Sequence, residues 1–160
     1  MRHAKQSGLA VRDHDRPLTD EGRDEAHRVG ERLAEVGPIP DRVLSSTALR
    51  CRETWAAISA GLGEALEVDC ESGLYNASSH DLLRAITGID DEIEILLLLA
   101  HNPGMSLLAL ELGAADETAL SLLRAGFSPA TTACFEIEGP WSTVSARTAQ
   151  LIRFERPARA

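Results

Sequence analysis

Apolar positions along this chain follow two different periods. Ala26, Val29, Gly30, Leu33 and Ala34 recur three and four apart, so residues 20–36 are predicted to form an amphipathic helix. Thr19 stands at its N-cap, Asp20 and Glu21 occupy the first turn where the helix dipole favours carboxylates, and Gly37-Pro38 ends it. Arg42-Val43-Leu44-Ser45 reads as a short strand. After it, Ser46 or Thr47 can cap a helix that carries Leu49, Trp55, Ala56 and Leu62 and breaks at Gly61-Leu62-Gly63. A second short strand is predicted over Leu66 to Asp69. Ser78 or Ser79 caps a helix through Leu82, Leu83 and Ile86 that stops near Gly88. Ile93 to Ala100 is almost continuously apolar and predicts a strand buried on both faces. Asn102-Pro103-Gly104 turns it into a helix with Leu107, Leu108, Leu110 and Leu112, and a short helix follows over 118–124. Two strands, 131–137 and 148–154, flank a loop with Gly139-Pro140, whereas residues 1–18 read as irregular and polar. Strands alternating with helices predict an α/β fold, a three-layer αβα sandwich. Its sheet is mostly parallel, with an antiparallel pair late in the chain.

Composition narrows the function classes. The chain has 160 residues, 44% hydrophobic and 26% charged, with no repeat, low-complexity tract or linker to divide it. Residues 1–160 are therefore expected to form a single domain. Sixteen basic against twenty-five acidic side chains give a formal net charge of −9, which opposes non-specific binding to nucleic acid or an anionic membrane. The apolar run Ile95 to Ala100 is too short to span a membrane. Met1-Arg2-His3-Ala4-Lys5 has no apolar segment behind its charges, so no secretory signal is expected there. Cys51, Cys70 and Cys134 lack a CxxC spacing and suit reduced thiols in the cytoplasm.

Among the five histidines, none pairs at i,i+4 with another metal-ligating histidine or cysteine, so no metal site is expected. His27 and His80 read as solvated helix residues. His101 directly follows the most apolar strand, and the carboxyl end of a buried strand is where open α/β sheets bind ligands. A partly buried histidine bonded to backbone is the plainer reading of that position. Neither a P-loop nor a GxSxG elbow is present. Gly61-Leu62-Gly63 lacks the third glycine of a dinucleotide fingerprint. Glu92 and Glu94 read as solvated strand ends, and Trp55, Trp141 and Phe127 as packing residues.

Four segments are informative together. They are Arg2-His3-Ala4-Lys5, Arg16-Pro17-Leu18-Thr19-Asp20-Glu21-Gly22, Ser45-Ser46-Thr47-Ala48-Leu49-Arg50-Cys51-Arg52-Glu53-Thr54 and Ala100-His101-Asn102-Pro103-Gly104. In this order and spacing the chain closely resembles the histidine phosphatase superfamily, and best its short bacterial phosphohistidine phosphatases of the SixA type. The resemblance covers about residues 2 to 137 and implies a phosphoglycerate mutase-like fold. It implies that His3 is the nucleophile, that Arg2 and Arg50 are the arginines of the phosphate pocket, and that His101 is its second histidine. Guanidinium forks match phosphate oxygens, and a nucleophilic imidazole must keep one nitrogen free of a proton. His101 could donate to a phosphate oxygen. With four basic groups in place, no cofactor or metal is expected.

Relatives that hydrolyse alkyl phosphates use an added carboxylic acid for the leaving group. Glu71 and Asp13 are weak candidates for that role here. Phosphohistidine on a protein is the preferred substrate, since its imidazole leaves readily once protonated and short loops leave the pocket open. The alternatives are a phosphatase of a small phosphorylated metabolite and a catalytically weak phosphoryl-binding module. Lys5 is read either as a phosphate contact or as surface charge, and Ser7 also lies near the pocket by position. In the family a strand of several residues precedes the Arg-His pair, so the natural strand is expected to start upstream of Met1. Fifteen arginines against one lysine fit a GC-rich bacterial genome.

Overall fold

The computed structural model describes residues 1–8, 10–113 and 116–157. Its parallel sheet has the order β2-β1-β3, with β1 at Arg42–Ser46, β2 at Asp69–Glu71 and β3 at Leu96–Leu99. Beyond β3 the first residues of the chain continue the sheet. Arg2 bridges Ala100 in parallel, the Met1 ammonium donates to the Leu98 carbonyl (2.7 Å) and His3 N–H to that of Ala100 (3.2 Å). On the other side Arg2 N–H donates to Thr131 O and Ala130 N–H to His3 O. The start of the chain is thus buried at Met1, His3 and Ala4 instead of irregular and polar. Its few residues are too short to show a strand period, and only the neighbouring backbone reveals their pairing.

Side chains alternate across the sheet as a period of two requires. Val43 and Leu99 face α1 (Asp20–Val36) and α2 (Leu49–Leu62) together with Met1, Ala4, Trp55 and Ile58. Leu44, Leu98 and Ala100 face α3 (Ser79–Thr87), α4 (Gly104–Leu112) and Leu123 of α5 (Glu117–Arg124). An antiparallel hairpin of β4 (Thr132–Ile137) and β5 (Ala149–Glu155) packs on that second layer. This is the α/β sandwich read from the sequence, with its antiparallel pair. Gly30 and Gly61 let α1 and α2 approach closely: a Cβ on Gly30 would lie 2.0 Å from Ile58 O, and one on Gly61 2.1 Å from His27 O.

Capping follows expectation at Thr19, whose hydroxyl accepts from Gly22 N–H, and at Ser78, which forms a reciprocal capping box with Asp81. It departs at α2. The N-cap there is Ala48, without a side-chain cap, because the Ser46 and Thr47 hydroxyls point to histidines. The second strand lies at Asp69–Glu71, shifted past the predicted 66–69. Leu66 and Val68 instead pack beside α2, where Leu66 O accepts from Trp55 Nε1. The strand predicted over 93–100 is regular only at Leu96–Leu99, since the Asp41 carboxylate takes the N–H groups of Glu94 and Ile95.

Candidate active site

The carboxyl ends of the parallel strands bring four residues from three separated segments together. His3 ends the segment beside β3, Arg50 lies in the first turn of α2 after β1, and His101 immediately follows β3. The rings of His3 and His101 stand 5.2 Å apart, centroid to centroid. The Arg50 Nε–H donates to His101 Nδ1 at 3.2 Å. Arg2 enters from beside His3 and donates through Nη1 to Phe127 O at 2.9 Å. One threonine fastens this arrangement: Thr54 Oγ1 accepts from Ala4 N–H at 3.0 Å and donates to Arg50 O at 2.6 Å. It ties the backbone after His3 to the turn that carries Arg50.

The hydrogen bonds assign the tautomers. His3 Nδ1 lies 2.8 Å from the Ala4 carbonyl, which can only accept, so Nδ1 holds the proton and Nε2 is left bare. Burial, then the guanidinium groups of Arg50, Arg2 and Arg16, push the His3 ring down to about 4, against the support of Ala4 O. His3 is therefore neutral at physiological pH. His101 Nδ1 accepts from Arg50, so its proton is on Nε2 and is donated to Ser46 Oγ at 2.8 Å. Burial and the nearby Arg50 hold that ring near 3. His101 in this state has no free N–H for an anion, unlike the role expected of it. Offering one requires a proton on Nδ1, on the side it shares with Arg50.

These groups are deeply set: His3 is 4%, Arg50 3% and His101 3% exposed. Burial lowers the pKa of Arg2 as well, and its Nε has no hydrogen-bond partner among the described residues. A one-turn 3₁₀ helix, Asp13–Asp15, forms part of the rim. The Asp13 carboxylate accepts from Tyr75 OH (2.7 Å), Arg50 Nη2 (3.1 Å) and Arg16 Nη1 (3.2 Å). Its backbone carbonyl accepts from Arg50 Nη1 at 2.8 Å. Tyr75, chiefly, with Arg16 and Arg50 pull the Asp13 carboxyl down to about 2. Asp13 is an anion and not a proton donor. The other carboxyl candidate, Glu71, lies on the exposed edge strand β2, and no hydrogen bond or ion pair joins it to the four.

Lys5 pairs with Glu21 at the surface, so the structure places it as surface charge. Ser7 belongs to the neighbouring loop, where its N–H donates to Pro17 O and its carbonyl accepts from Arg16 Nε. His80 is exposed, and His27 is exposed beside Glu31. Glu92 and Glu94 are solvated, while Trp55, Phe127 and Trp141 pack in the two cores. His14, left unassigned in the sequence, sits at the rim between Thr47 Oγ1 (3.0 Å) and the edge of the Tyr75 ring. Sequence reasoning also missed Tyr75 and treated Ser46 as a cap. Its position at the carboxyl end of β1 was the available signal for Ser46. Among the described residues no group of three or more His, Cys, Asp or Glu side chains could hold a metal ion, and no helix is long and apolar enough to cross a membrane.

Comparisons with known proteins bear on the family and the fold. The sequence profile of the histidine phosphatase superfamily (branch 1) matches residues 1–82. An uncharacterized protein of Mycobacterium leprae is 32% identical over 164 residues, covering 98% of this chain and 99% of its own length. The structure of a candidate phosphohistidine phosphatase, SixA, from Nakamurella multipartitia superposes with a TM-score of 0.88 at 31% identity, covering 99% of this chain and 94% of that one. A second candidate SixA, from Agrobacterium tumefaciens, gives 0.83 at 29% identity, covering 98% of this chain and 95% of its own.

Proposed function

This chain belongs to the histidine phosphatase superfamily, as a hydrolase of the SixA type, and on that premise we propose that it dephosphorylates phosphohistidine on proteins through a covalent phosphohistidine at His3. The proposal takes residues 1–160 as one histidine phosphatase domain. It rests above all on the bare Nε2 of a buried, neutral His3, fixed by the Nδ1–H bond to Ala4 O and flanked by Arg2, Arg50 and His101. The Nε2 lone pair forms the new bond to phosphorus while the bond to the leaving group breaks and its pair departs with that group. Water then attacks the phosphohistidine, and the N–P pair returns to Nε2.

Phosphoryl transfer spreads charge over three equatorial oxygens, so positioning and charge stabilisation carry most of the catalysis. Arg2 and Arg50 supply that charge without a metal. The buried, unpaired Arg2 Nε–H is a donor ready for a phosphoryl oxygen, and the second hydrogens of Arg50 Nη1 and Nη2 remain beside their bonds to Asp13. His101 is the fourth binding group once its Nδ1 is protonated. Protein phosphohistidine is favoured over an alkyl phosphate because the rim carboxylate is ionised and cannot protonate an alkoxide. Three free cysteines fit a reducing, cytoplasmic location.

The test is labelling with a radiolabelled phosphohistidine protein, quenched in acid or in alkali, for the native chain and for His3→Ala. An alkali-stable, acid-labile phosphoenzyme in the native chain alone is the expected result. Turnover by His3→Ala at the native rate would overturn the assignment of the nucleophile.

A further inference from the structure

The phosphoryl end of a substrate must enter a pocket in which His3, Arg50 and His101 are almost wholly buried, so its leaving group stays at the rim. The rim helix exposes Asp13 at 49%, His14 at 37% and Asp15 at 41%, and half-buried Tyr75 lies between His14 and His101. Asp15 is taken up by Arg12 and His14, whereas Asp13 is the carboxylate bonded to Arg50, and every contact it makes pins it there. Arg50 reaches it from α2, Tyr75 from the turn after β2, and Arg16 from its own loop. His14, next in sequence, turns instead toward Asp15 and Thr47, and His101 lies behind Tyr75. An ionised carboxylate at the exit of a phosphate pocket is costly for most phosphate esters, because it repels the dianion and cannot supply a proton. It suits a leaving group that arrives with its own N–H.

Resting on the phosphatase reading above, we infer that Asp13 selects for nitrogen-linked phosphoryl groups by accepting a hydrogen bond from the N–H of the departing imidazole. A phosphorylated imidazole can carry a proton on the nitrogen remote from phosphorus. Asp13 holds the ring in that protonated form. His3 Nε2 then forms its bond to phosphorus, the P–N bond of the substrate breaks with its pair going to the substrate nitrogen, and the ring leaves as neutral imidazole with the remote N–H in place. No proton passes through Asp13. An oxygen-linked ester has no such N–H, so the same carboxylate gives it nothing. Tyr75 tunes the acceptor: its phenol shares Oδ2 and weakens the basicity of the carboxylate. Asp13 is thus a specificity residue, and Tyr75 a positioning residue acting through it.

The experiment uses the full chain with phosphoimidazole and phenyl phosphate, for native protein, Asp13→Asn, Asp13→Glu and Tyr75→Phe. The native chain should turn over phosphoimidazole. Asp13→Asn should cut the ratio of kcat/KM between phosphoimidazole and phenyl phosphate by about tenfold or more, the worth of one charge-assisted hydrogen bond. Asp13→Glu should restore part of that ratio. The pH dependence of kcat reports the bound ring. Its alkaline limb on phosphoimidazole should move to lower pH in Asp13→Asn and to higher pH in Tyr75→Phe, where the carboxylate is the stronger acceptor. Equal losses on both substrates, with an unmoved limb, would show that Asp13 only braces Arg50 and would overturn the inference. A native chain inactive on both substrates would overturn the phosphatase reading itself, and this inference with it.

Discussion

Two hollows in this molecule differ in almost every respect. One is the buried pocket of His3, Arg2, Arg50 and His101 at the carboxyl ends of the strands. The other is a cavity of about 720 Å³ lined by Met1, Leu96, Leu98, Leu108, Ala133 and Phe135, among others, between β3 and the hairpin. An apolar cavity of that size is the usual first place to look for a ligand. Its walls, however, are mainly aliphatic and aromatic carbon, with carboxylates such as Asp91, Glu94 and Glu136 among the lining. Among the described residues that line it, nothing converges as the two imidazoles and two guanidinium groups do around His3. We propose the polar pocket as the working one because the hydrogen bonds of its imidazoles and guanidinium groups are directed. Volume measures room, and chemistry needs orientation.

The comparison can be broken most sharply at His3. His3→Ala is expected to lose turnover by about 10⁴-fold or more and to form no phosphoenzyme, as removal of a covalent nucleophile does; rapid-quench kinetics measures both. Leu98→Ala, in the wall of the apolar cavity, should do the opposite. It should destabilise the fold by about 2–5 kcal/mol in urea titration while the phosphoenzyme yield per folded molecule stays at the native level. Ser46→Ala removes the close acceptor of His101 Nε2–H and leaves that buried N–H only the weakly accepting Cys51 sulfur at 3.6 Å, which should cost about 1–3 kcal/mol. Its phosphate affinity should fall as well, read by inhibition with inorganic phosphate. A Leu98→Ala protein that is stable but inactive would contradict the division between the two hollows.

Acid should separate the pocket's groups in its own way. His3 and His101 have folded pKa values of about 4 and 3, both below the ordinary 6.5, so the unfolded chain binds protons first. Stability is full above about pH 6.5 and is lost as pH falls from there toward 4 and then 3. Asp13 is also lowered, from 3.8 to about 2, and its half-exposed ion pairs contribute a further, weaker loss across that lower window. The urea midpoint of native protein followed from pH 8 to pH 3 should bend near 6.5, and His101→Gln should flatten part of that slope.

Much of the architecture was legible in the chain. The helices at Asp20–Val36 and Ser79–Thr87 show both their periods and their caps, because those signals lie within a few residues of one another. The apolar run before His101 announces a buried strand with a ligand-facing end. The four pocket residues were legible as well, through a resemblance carried by short motifs in order. Less was visible wherever a partner lies far away in sequence. Leu66 and Val68 have the composition of a strand, yet they pack beside Trp55 and its helix while Asp69–Glu71 makes the ladder. Ser46 and Thr47 look like caps until the histidines they bind are brought near.

By itself, then, the sequence determined the alternation of strands and helices, and it offered His3, Arg2, Arg50 and His101 as candidates for the site. These are properties of local periodicity and residue type. Only the tertiary structure decided the state in which those groups work. Which nitrogen of His3 is bare depends on the Ala4 carbonyl, and which nitrogen of His101 holds a proton depends on Arg50 and Ser46. How Asp13 is held at the rim, and how far its carboxyl is pulled below the ordinary value, depends first on Tyr75, sixty-two positions away. Protonation and direction are set by contacts across the fold, because a charge answers to its neighbours in space.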